Sequence, residues 1–466
     1  MPDPQPVHTL LILGGTGDLS SRLLLPGLAR VIGNGRAPEL TVIGSGSRDW
    51  TRDEWQDRMR SSFDTAYAAA DESGREKLRA TVSRSRYLQL DLSSGAGLAE
   101  RIRELPGPLA VYFALPPALA AETVDRLRPG DLPPHTRLVL EKPFGNDRAS
   151  ARALNEALAR LVPEDEVFRV DHFLGMTTVM DILGLRFTNR LLEPAWSNLH
   201  IEKMEVVFDE QLGLEGRAGY YDGAGALKDM IQSHLLHVMA FMAIGVPATL
   251  GERDLRDLLA ATLRAATVEP KTGSRRARYT AGTVDGNRME AYADSPGVDP
   301  SRNTETLSEV EVRINNDRWA GVPFILRSGK AMNRSRKEVL VTFKPVSHLP
   351  AGFTGITDLP SRLRISFAPA EIELELNVNG PRNVFRLERT GLKGPTHMSQ
   401  LTPYGEVIES VLDGDPLLSV RADIAEECWR IVDPVLRAWA ADEVPLQEYP
   451  AGTQGPPGWS TSRADL

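Results

Sequence analysis

The stretch "TLLILGGTGDLSSRLLLPGLARVI", near the start of the chain, limits the fold more than any other. Leu10–Leu13 form a short continuous apolar run, which is how a strand buried on both faces reads. Gly14, Gly15 and Gly17 then punctuate it. From Ser20 to Ile32 apolar residues return at helical spacing. The order is strand, glycine turn, helix. Four further runs repeat the strand signal: "LTVIGSGSR", "YLQLDL" (Tyr87–Leu92), "LAVYFALPP" (Leu109–Pro117) and "TRLVLEKPFG". Helical stretches such as "TRDEWQDRMRSSF" and "SGAGLAERIREL" separate them. Strands alternating with helices predict a doubly wound, Rossmann-like parallel sheet covered on both faces. This domain is expected to span residues 1–175.

The remainder, 176–466, changes character. "IEKMEVVFDE", "TLSEVEVRINNDRWAGVPFILRSG", "KEVLVTFKP", "RLRISFAPAEIELELNVNG" and "NVFRLERT" show partial period-two alternation. Consecutive strands with short turns predict a large, mostly antiparallel sheet. Helices flank it: "GALKDMIQSHLLHVMAFMAIG" and a pair between Tyr404 and Ala441. The closing "PAGTQGPPGWSTSRADL" is rich in Pro, Gly and Ser and is expected to be an irregular, partly mobile tail. The overall class is therefore α/β followed by α+β.

A chain of 466 residues exceeds one ordinary core, so two or three domains are expected. The formal net charge of -9 disfavours sequence-independent nucleic-acid binding, which runs on Lys and Arg neutralising phosphates. The single cysteine, Cys428, excludes an internal disulfide and thiolate metal clusters, and its helical surroundings suggest a buried, inert thiol. No metal site is expected. The start "MPDPQPVHTLLILGG" lacks the basic residues and long apolar stretch of a signal peptide. No run approaches the ~20 apolar residues of a membrane span. The expectation is a soluble, cytoplasmic protein with no membrane partner.

"GGTGDL" (Gly14, Gly15, Thr16, Gly17, Asp18, Leu19) sits where a dinucleotide fold places its phosphate loop. Glycines let the backbone approach a pyrophosphate, and the following helix start offers free N–H groups. The spacing is not G-x-G-x-x-G, so a plain strand-to-helix turn is the competing reading. At the end of the second strand, "GSGSRDW" carries Ser45, Ser47 and Arg48. An acid there selects NAD, and an arginine accommodates the 2′-phosphate of NADP. Arg48 favours NADP, while the adjacent Asp49 keeps NAD as the alternative.

Two stretches join histidine to acid: "RVDHFLGM", with Asp171 and His172, and "LKDMIQSHLL", with Asp229 and His234. A histidine oriented by a carboxylate suits a general base near neutral pH, as removal of a hydroxyl proton during hydride transfer requires. Asp229 and His234 lie five apart, roughly 140° around an α-helix, so they border one cleft at most. A packed helical histidine is the plain alternative.

The chain resembles the glucose-6-phosphate dehydrogenase family. The blocks "GGTGDLSSRLLLPGL", "VYFALPP", "LEKPFG", "RVDHFLG", "EGRAGYYDGAGALKDMIQSHLL", "VPFILRSGKAM", "ECWRIVDPVL" and "YPAGTQGP" follow the family's order over nearly the whole length. The resemblance implies that His234 takes the sugar C1 hydroxyl proton, with Asp171, rather than the nearer Asp229, orienting it. It implies that Lys142 lies between cofactor and sugar, and that Pro143 shapes the turn. Glu210 and Asp229 would accept from sugar hydroxyls; His172 would face the substrate phosphate, and Lys330 would also contact the sugar. Hydride would pass from C1 to NADP, giving a lactone. A homodimer or homotetramer follows from the family's use of its large sheet for subunit contacts.

The departures share a direction. The family's Asp-His-Tyr-Leu-Gly-Lys block has Phe173 and Met176 here in place of its tyrosine and lysine. Ser335, flanked by Arg334 and Arg336, replaces an arginine five residues past Lys330, Ala368 replaces a glutamine and Ser233 an asparagine. The proton-transfer residues persist while the phosphate end loses donors. Three readings therefore stand side by side: oxidation of glucose 6-phosphate, the same C1 chemistry on an unphosphorylated or otherwise modified sugar, and a catalytically weak member acting through binding or assembly.

Overall fold

A computed structural model describes residues 6–37, 39–93, 97–216 and 218–459. The chain divides into two compact units. One comprises Met1–Thr177, Pro247–Leu258 and Ser399–Glu427; the other comprises Thr178–Val246, Leu259–Met398 and Cys428–Leu466. Ser94–Ala96, within the expected helix "SGAGLAERIREL", and Ser460–Leu466 of the tail lie outside the described residues.

The first unit is built on six strands: β1 (Thr9–Leu13), β2 (Thr41–Gly46), β3 (Arg86–Gln89), β4 (Leu109–Phe113), β5 (Arg137–Glu141) and β6 (Val167–Val170). They lie in the order β3-β2-β1-β4-β5-β6, and every pairing is parallel. Every residue of β1 and of β4 is buried, the signature of a sheet covered on both faces. Leu10, Ile12 and Val42 from the sheet pack with Leu28, Trp55, Met59 and Phe63 from the covering helices. The strand order reverses between β1 and β4, so their C-terminal ends diverge into a crevice where ligands bind in folds of this type.

The sixth strand escaped the apolar pattern because Arg169 interrupts it. That guanidinium is wholly buried. It donates to Asn155 Oδ1 at 3.1 Å and to the two carboxylate oxygens of Glu164 at 2.7 and 3.3 Å. The Arg169 N–H donates to Ser419 Oγ at 2.9 Å, and its carbonyl accepts from Val420 N at 3.0 Å. A paired, forked cation thus ties β6 to the Ser399–Glu427 segment. Arg137 adds a second tie, donating to the carbonyls of Val411 and Leu412, each at 2.7 Å, at the end of helix Pro403–Asp413.

The second unit contains β7 (Ile201–Asp209), β8 (Ala266–Val268), β9 (Ser274–Thr280), the hairpin β10 (Gly282–Val284) and β11 (Asn287–Met289), β12 (Leu307–Ile314), β13 (Pro323–Gly329) and β14 (Arg336–Phe343). It continues through β15 (Thr354–Gly355), β16 (Arg362–Phe367), β17 (Ala370–Asn379), β18 (Arg386–Pro395) and β19 (Leu446–Pro450). Eleven of these form one sheet in the order β15-β18-β17-β16-β14-β7-β13-β12-β9-β19, with β8 also paired to β12. Most pairings are antiparallel; β7 with β13, β9 with β19 and β15 with β18 are parallel. Tyr221, Tyr279, Tyr292, Tyr449 and Trp459 cluster at one end of the sheet. Among the described residues, no helix is long and apolar enough to cross a membrane. Cys428 is buried.

Arg169→Leu keeps apolar volume but takes the forked partner from Glu164, which retains the Ala422 N–H at 2.9 Å and Arg256 at 3.8 Å, and takes the donor from Asn155 Oδ1. Removing one partner of a buried ion pair costs about 3 kcal/mol, the lower end of the range because Glu164 is partly exposed. Urea unfolding followed by circular dichroism will show the midpoint falling accordingly.

Candidate active site

In the first unit the loop after β1 lies against the end of β4. Gly14 has φ +84°, and a Cβ there would meet the Ala114 carbonyl oxygen at 2.2 Å. Glycine is required on both counts. Ser20 Oγ donates to the Gly14 carbonyl at 3.0 Å and closes the loop. A π-helical turn, Ser20–Leu24, follows and passes into the α-helix Leu25–Gly33. Thr16, Gly17 and Leu19 are half-buried, and Asp18 is exposed. At the end of β2, Gln89 Nε2 donates to the Ser47 carbonyl at 3.3 Å and Tyr87 Oη to the Arg48 carbonyl at 2.8 Å. These contacts pin the backbone and leave Ser47 and Arg48 exposed. The Arg48 and Arg58 guanidinium carbons lie 5.9 and 5.3 Å from the Trp50 ring centroid. A glycine cradle at the strand-order reversal, with Arg48 exposed at the β2 end, fits a dinucleotide carrying extra phosphate.

Lys142 and Pro143 follow β5 directly and are half-buried, joined by a cis peptide bond. Before them stands Glu141, which accepts from the hydroxyls of Tyr112 and, at 3.4 Å, Tyr404. Burial raises its carboxyl to about 7, against the opposing pull of those two hydroxyls and of Lys142. The Tyr404 ring stacks on His172, with centroids 5.7 Å apart and planes 15° apart. Asp171 is buried, and its carboxylate accepts from the Phe173 N–H at 3.0 Å, capping the short turn His172–Gly175. Phe173 is buried in the core, and Met176 is half-buried. Gly175 is held against the backbone of Pro403, whose carbonyl oxygen would stand 2.3 Å from a Cβ.

In the second unit, Asp229 and His234 lie on Leu227–Leu235, which winds as a π-helix before continuing as the α-helix Leu236–Ala243. An i→i+5 winding makes residues five apart successive neighbours up the helix. The angular separation expected from α-geometry therefore does not hold here. His234 is 2% exposed, and Asp229 is half-buried. The far end of this helix is closed by strong donors. Arg186 donates to the carbonyls of Phe241 and, at 2.5 Å, Ile244. Trp196 Nε1 donates to Met242 O at 2.8 Å and Trp319 Nε1 to Ala243 O at 2.7 Å.

Glu210 follows β7, and its backbone bonds to Gly329 and Met332 at 2.8 and 2.9 Å. Lys330 Nζ donates to Glu210 Oε2 at 3.0 Å and Lys337 Nζ to Oε1 at 3.2 Å. Burial pushes the Glu210 carboxyl up, but the two ammonium groups overcome it and hold the group below the ordinary carboxylate range. Lys330 is buried, with its Nζ 5.2 Å from the Tyr221 ring centroid. Arg336 donates to Glu338 at 2.9 Å, while Arg334 and Ser335 are exposed. Sequence reasoning missed Lys337, Glu141 and Tyr404. Seven residues past Lys330 in a basic run, Lys337 carried a weak signal. Glu141, an acid closing an apolar strand beside Lys142, carried a stronger one.

Residues 11–181 match the glucose-6-phosphate dehydrogenase NAD binding domain, and residues 183–463 match the C-terminal domain of the same family. The chain is 36% identical to glucose-6-phosphate 1-dehydrogenase of Gluconobacter oxydans, covering 96% of this chain and 94% of that protein. It is 35% identical to the enzyme of the same name from Mycolicibacterium smegmatis, over 98% and 95% of the two chains. A solved glucose-6-phosphate dehydrogenase in complex with its substrate glucose-6-phosphate superposes with a TM-score of 0.88 at 28% identity, over 98% of this chain and 97% of that one. The chain belongs to the glucose-6-phosphate dehydrogenase family.

Proposed function

We propose that this protein oxidises the C1 hydroxyl of glucose 6-phosphate to 6-phosphogluconolactone, with NADP as coenzyme. The observation that carries the proposal is the near-complete match to glucose-6-phosphate 1-dehydrogenases over both domains. The residues to which the resemblance assigns proton transfer, Asp171 and His234, are both present in this chain. Bound NADP supplies the hydride acceptor. Gly14, Gly15, Thr16, Gly17, Asp18 and Leu19 would hold its pyrophosphate, and Ser47 and Arg48 its 2′-phosphate. NAD remains the alternative coenzyme because Asp49 adjoins them.

His234 is the general base for the C1 hydroxyl proton, and Asp171 is the acid that stabilises its charged form. Glu210, kept ionised by Lys330 and Lys337, accepts from a sugar hydroxyl, as does Asp229. Lys142 serves both coenzyme and sugar. His172 faces the substrate phosphate, and its ring orientation is supported by the stack on Tyr404. Met176 brings no charge to that end, so affinity for the phosphate rests on fewer donors than the family pattern provides. The protein acts in the cytoplasm as a homodimer or homotetramer. The exposed Val384, Phe385 and Leu392 around β18 support an interface on that part of the sheet.

His234→Asn will lower kcat by about 10²–10⁴, the worth of a positioned base, and leave KM for glucose 6-phosphate within a few-fold. Steady-state NADP reduction measures both constants. Met176→Lys will raise kcat/KM for glucose 6-phosphate over that for glucose by about tenfold or more, the worth of one charge-assisted hydrogen bond. A sugar panel with NADP and NAD reads that ratio; an unchanged ratio assigns the phosphate to other residues.

A further inference from the structure

The helix Ala218–Ala226 breaks at Gly225, whose φ of +67° and ψ of 173° lie outside any helix. The next helical segment, carrying Asp229 and His234, therefore starts afresh at Leu227 with backbone N–H groups that have no partner within the helix. No Ser, Thr, Asp or Asn precedes it to cap them, since the residue before is Ala226. The cap comes from 78 residues further along the chain. Glu305 Oε1 accepts from the Leu227 N–H at 2.9 Å, and the Glu305 carbonyl accepts from the Ala226 N–H at 3.3 Å. The carboxylate fills the space that a side chain at Gly225 would occupy: a Cβ there would lie 2.4 Å from Oε1.

Glu305 is the centre of a buried triplet, Thr304–Glu305–Thr306. Thr304 Oγ1 donates to the Asp222 carbonyl at 2.7 Å, just before the break. Thr306 Oγ1 accepts from Tyr279 N at 3.0 Å and bonds to Tyr449 Oη, also at 3.0 Å. Tyr449 Oη in turn donates to the Lys330 carbonyl at 2.7 Å, and the Lys330 N–H donates to Thr306 O at 2.9 Å. One extended triplet thus holds both the start of the His234 segment and the backbone of Lys330. Burial raises the Glu305 carboxyl to about 7, against the Leu227 N–H, its own N–H, Arg276 and Lys228. A group kept so far from water, spent on a single helix start, has a specific task.

We propose that Glu305 is a positioning residue for the reaction: by capping the first turn of Leu227–Leu235 it fixes the direction in which His234 is presented. The proposal rests on His234 being the general base. Two variants test it, each assayed for NADP reduction with glucose 6-phosphate and for cooperative thermal unfolding. Glu305→Gln keeps an acceptor at the same reach, and Glu305→Asp withdraws it by one methylene. The expected result is kcat within threefold of the parent for E305Q. For E305D, kcat falls at least tenfold while KM for glucose 6-phosphate stays within threefold and the protein remains folded. E305D with a parental kcat overturns the proposal. So does a folded E305Q as slow as E305D, because charge rather than capping is then what matters. An E305Q protein that does not fold overturns it too, since the residue is then purely structural. H234N run alongside separates the two levels: full activity in H234N sinks the base assignment itself, whatever the Glu305 variants do.

Discussion

The hydrogen bond from the Leu227 N–H to the Glu305 carboxylate is the contact that starts the helical segment carrying Asp229 and His234. A helix that starts inside a protein has orphan N–H groups, and leaving them unpaired costs about 1–3 kcal/mol each. The chain answers with a glycine break and an acid delivered from the irregular segment just before β12. The far end of the same helical run is closed by Arg186, Trp196 and Trp319. His234 thus sits on an element fixed at both ends, one by an acceptor and the other by three donors. A base must stay within hydrogen-bond reach of one proton, and a small misplacement is expensive in rate.

The first unit solves a matching problem with different parts. Its nucleotide loop is dictated by the reversal of strand order at β1 and β4, where Gly14 leaves no room for a side chain. Its Arg169–Met176 block is anchored at each end. Arg169 is buried against Asn155 and Glu164, and Gly175 lies against Pro403. Between these anchors, the Asp171 carboxylate is fixed by the Phe173 N–H and His172 by the Tyr404 ring. The eight residues from Arg169 to Met176 therefore divide their labour: Arg169 ties the strand to its neighbours, Asp171 and His172 are held in place by Phe173 N–H and the Tyr404 ring, and Phe173 packs inward.

The parallel sheet was legible because doubly covered strands must be apolar throughout, as the full burial of β1 and β4 bears out. The sixth strand was not, because a single buried arginine breaks the pattern, and its partners lie on the preceding helix (Asn155), in the short turn after it (Glu164) and in a distant segment (Ser419 and Val420). The relation of Asp229 to His234 was misjudged for a geometric reason: α-helical periodicity was assumed where the backbone winds i→i+5. Thr304–Glu305–Thr306 looks like a polar turn, and nothing local signals that its acid is buried or that its partner lies 78 residues away. Lys337 was hidden in the same way, its role set by the pairing of β14 with β7, which brings it to Glu210.

The proposed reaction moves a hydride from C1 of glucose 6-phosphate to a nicotinamide coenzyme. Mass spectrometry of the coenzyme formed from glucose 6-phosphate deuterated at C1 tests it most directly. The expected result is one deuterium in each NADPH released and slower turnover than with the unlabelled sugar. Reduced coenzyme without deuterium, or no reduction of coenzyme at any concentration of the sugar phosphate, would contradict it.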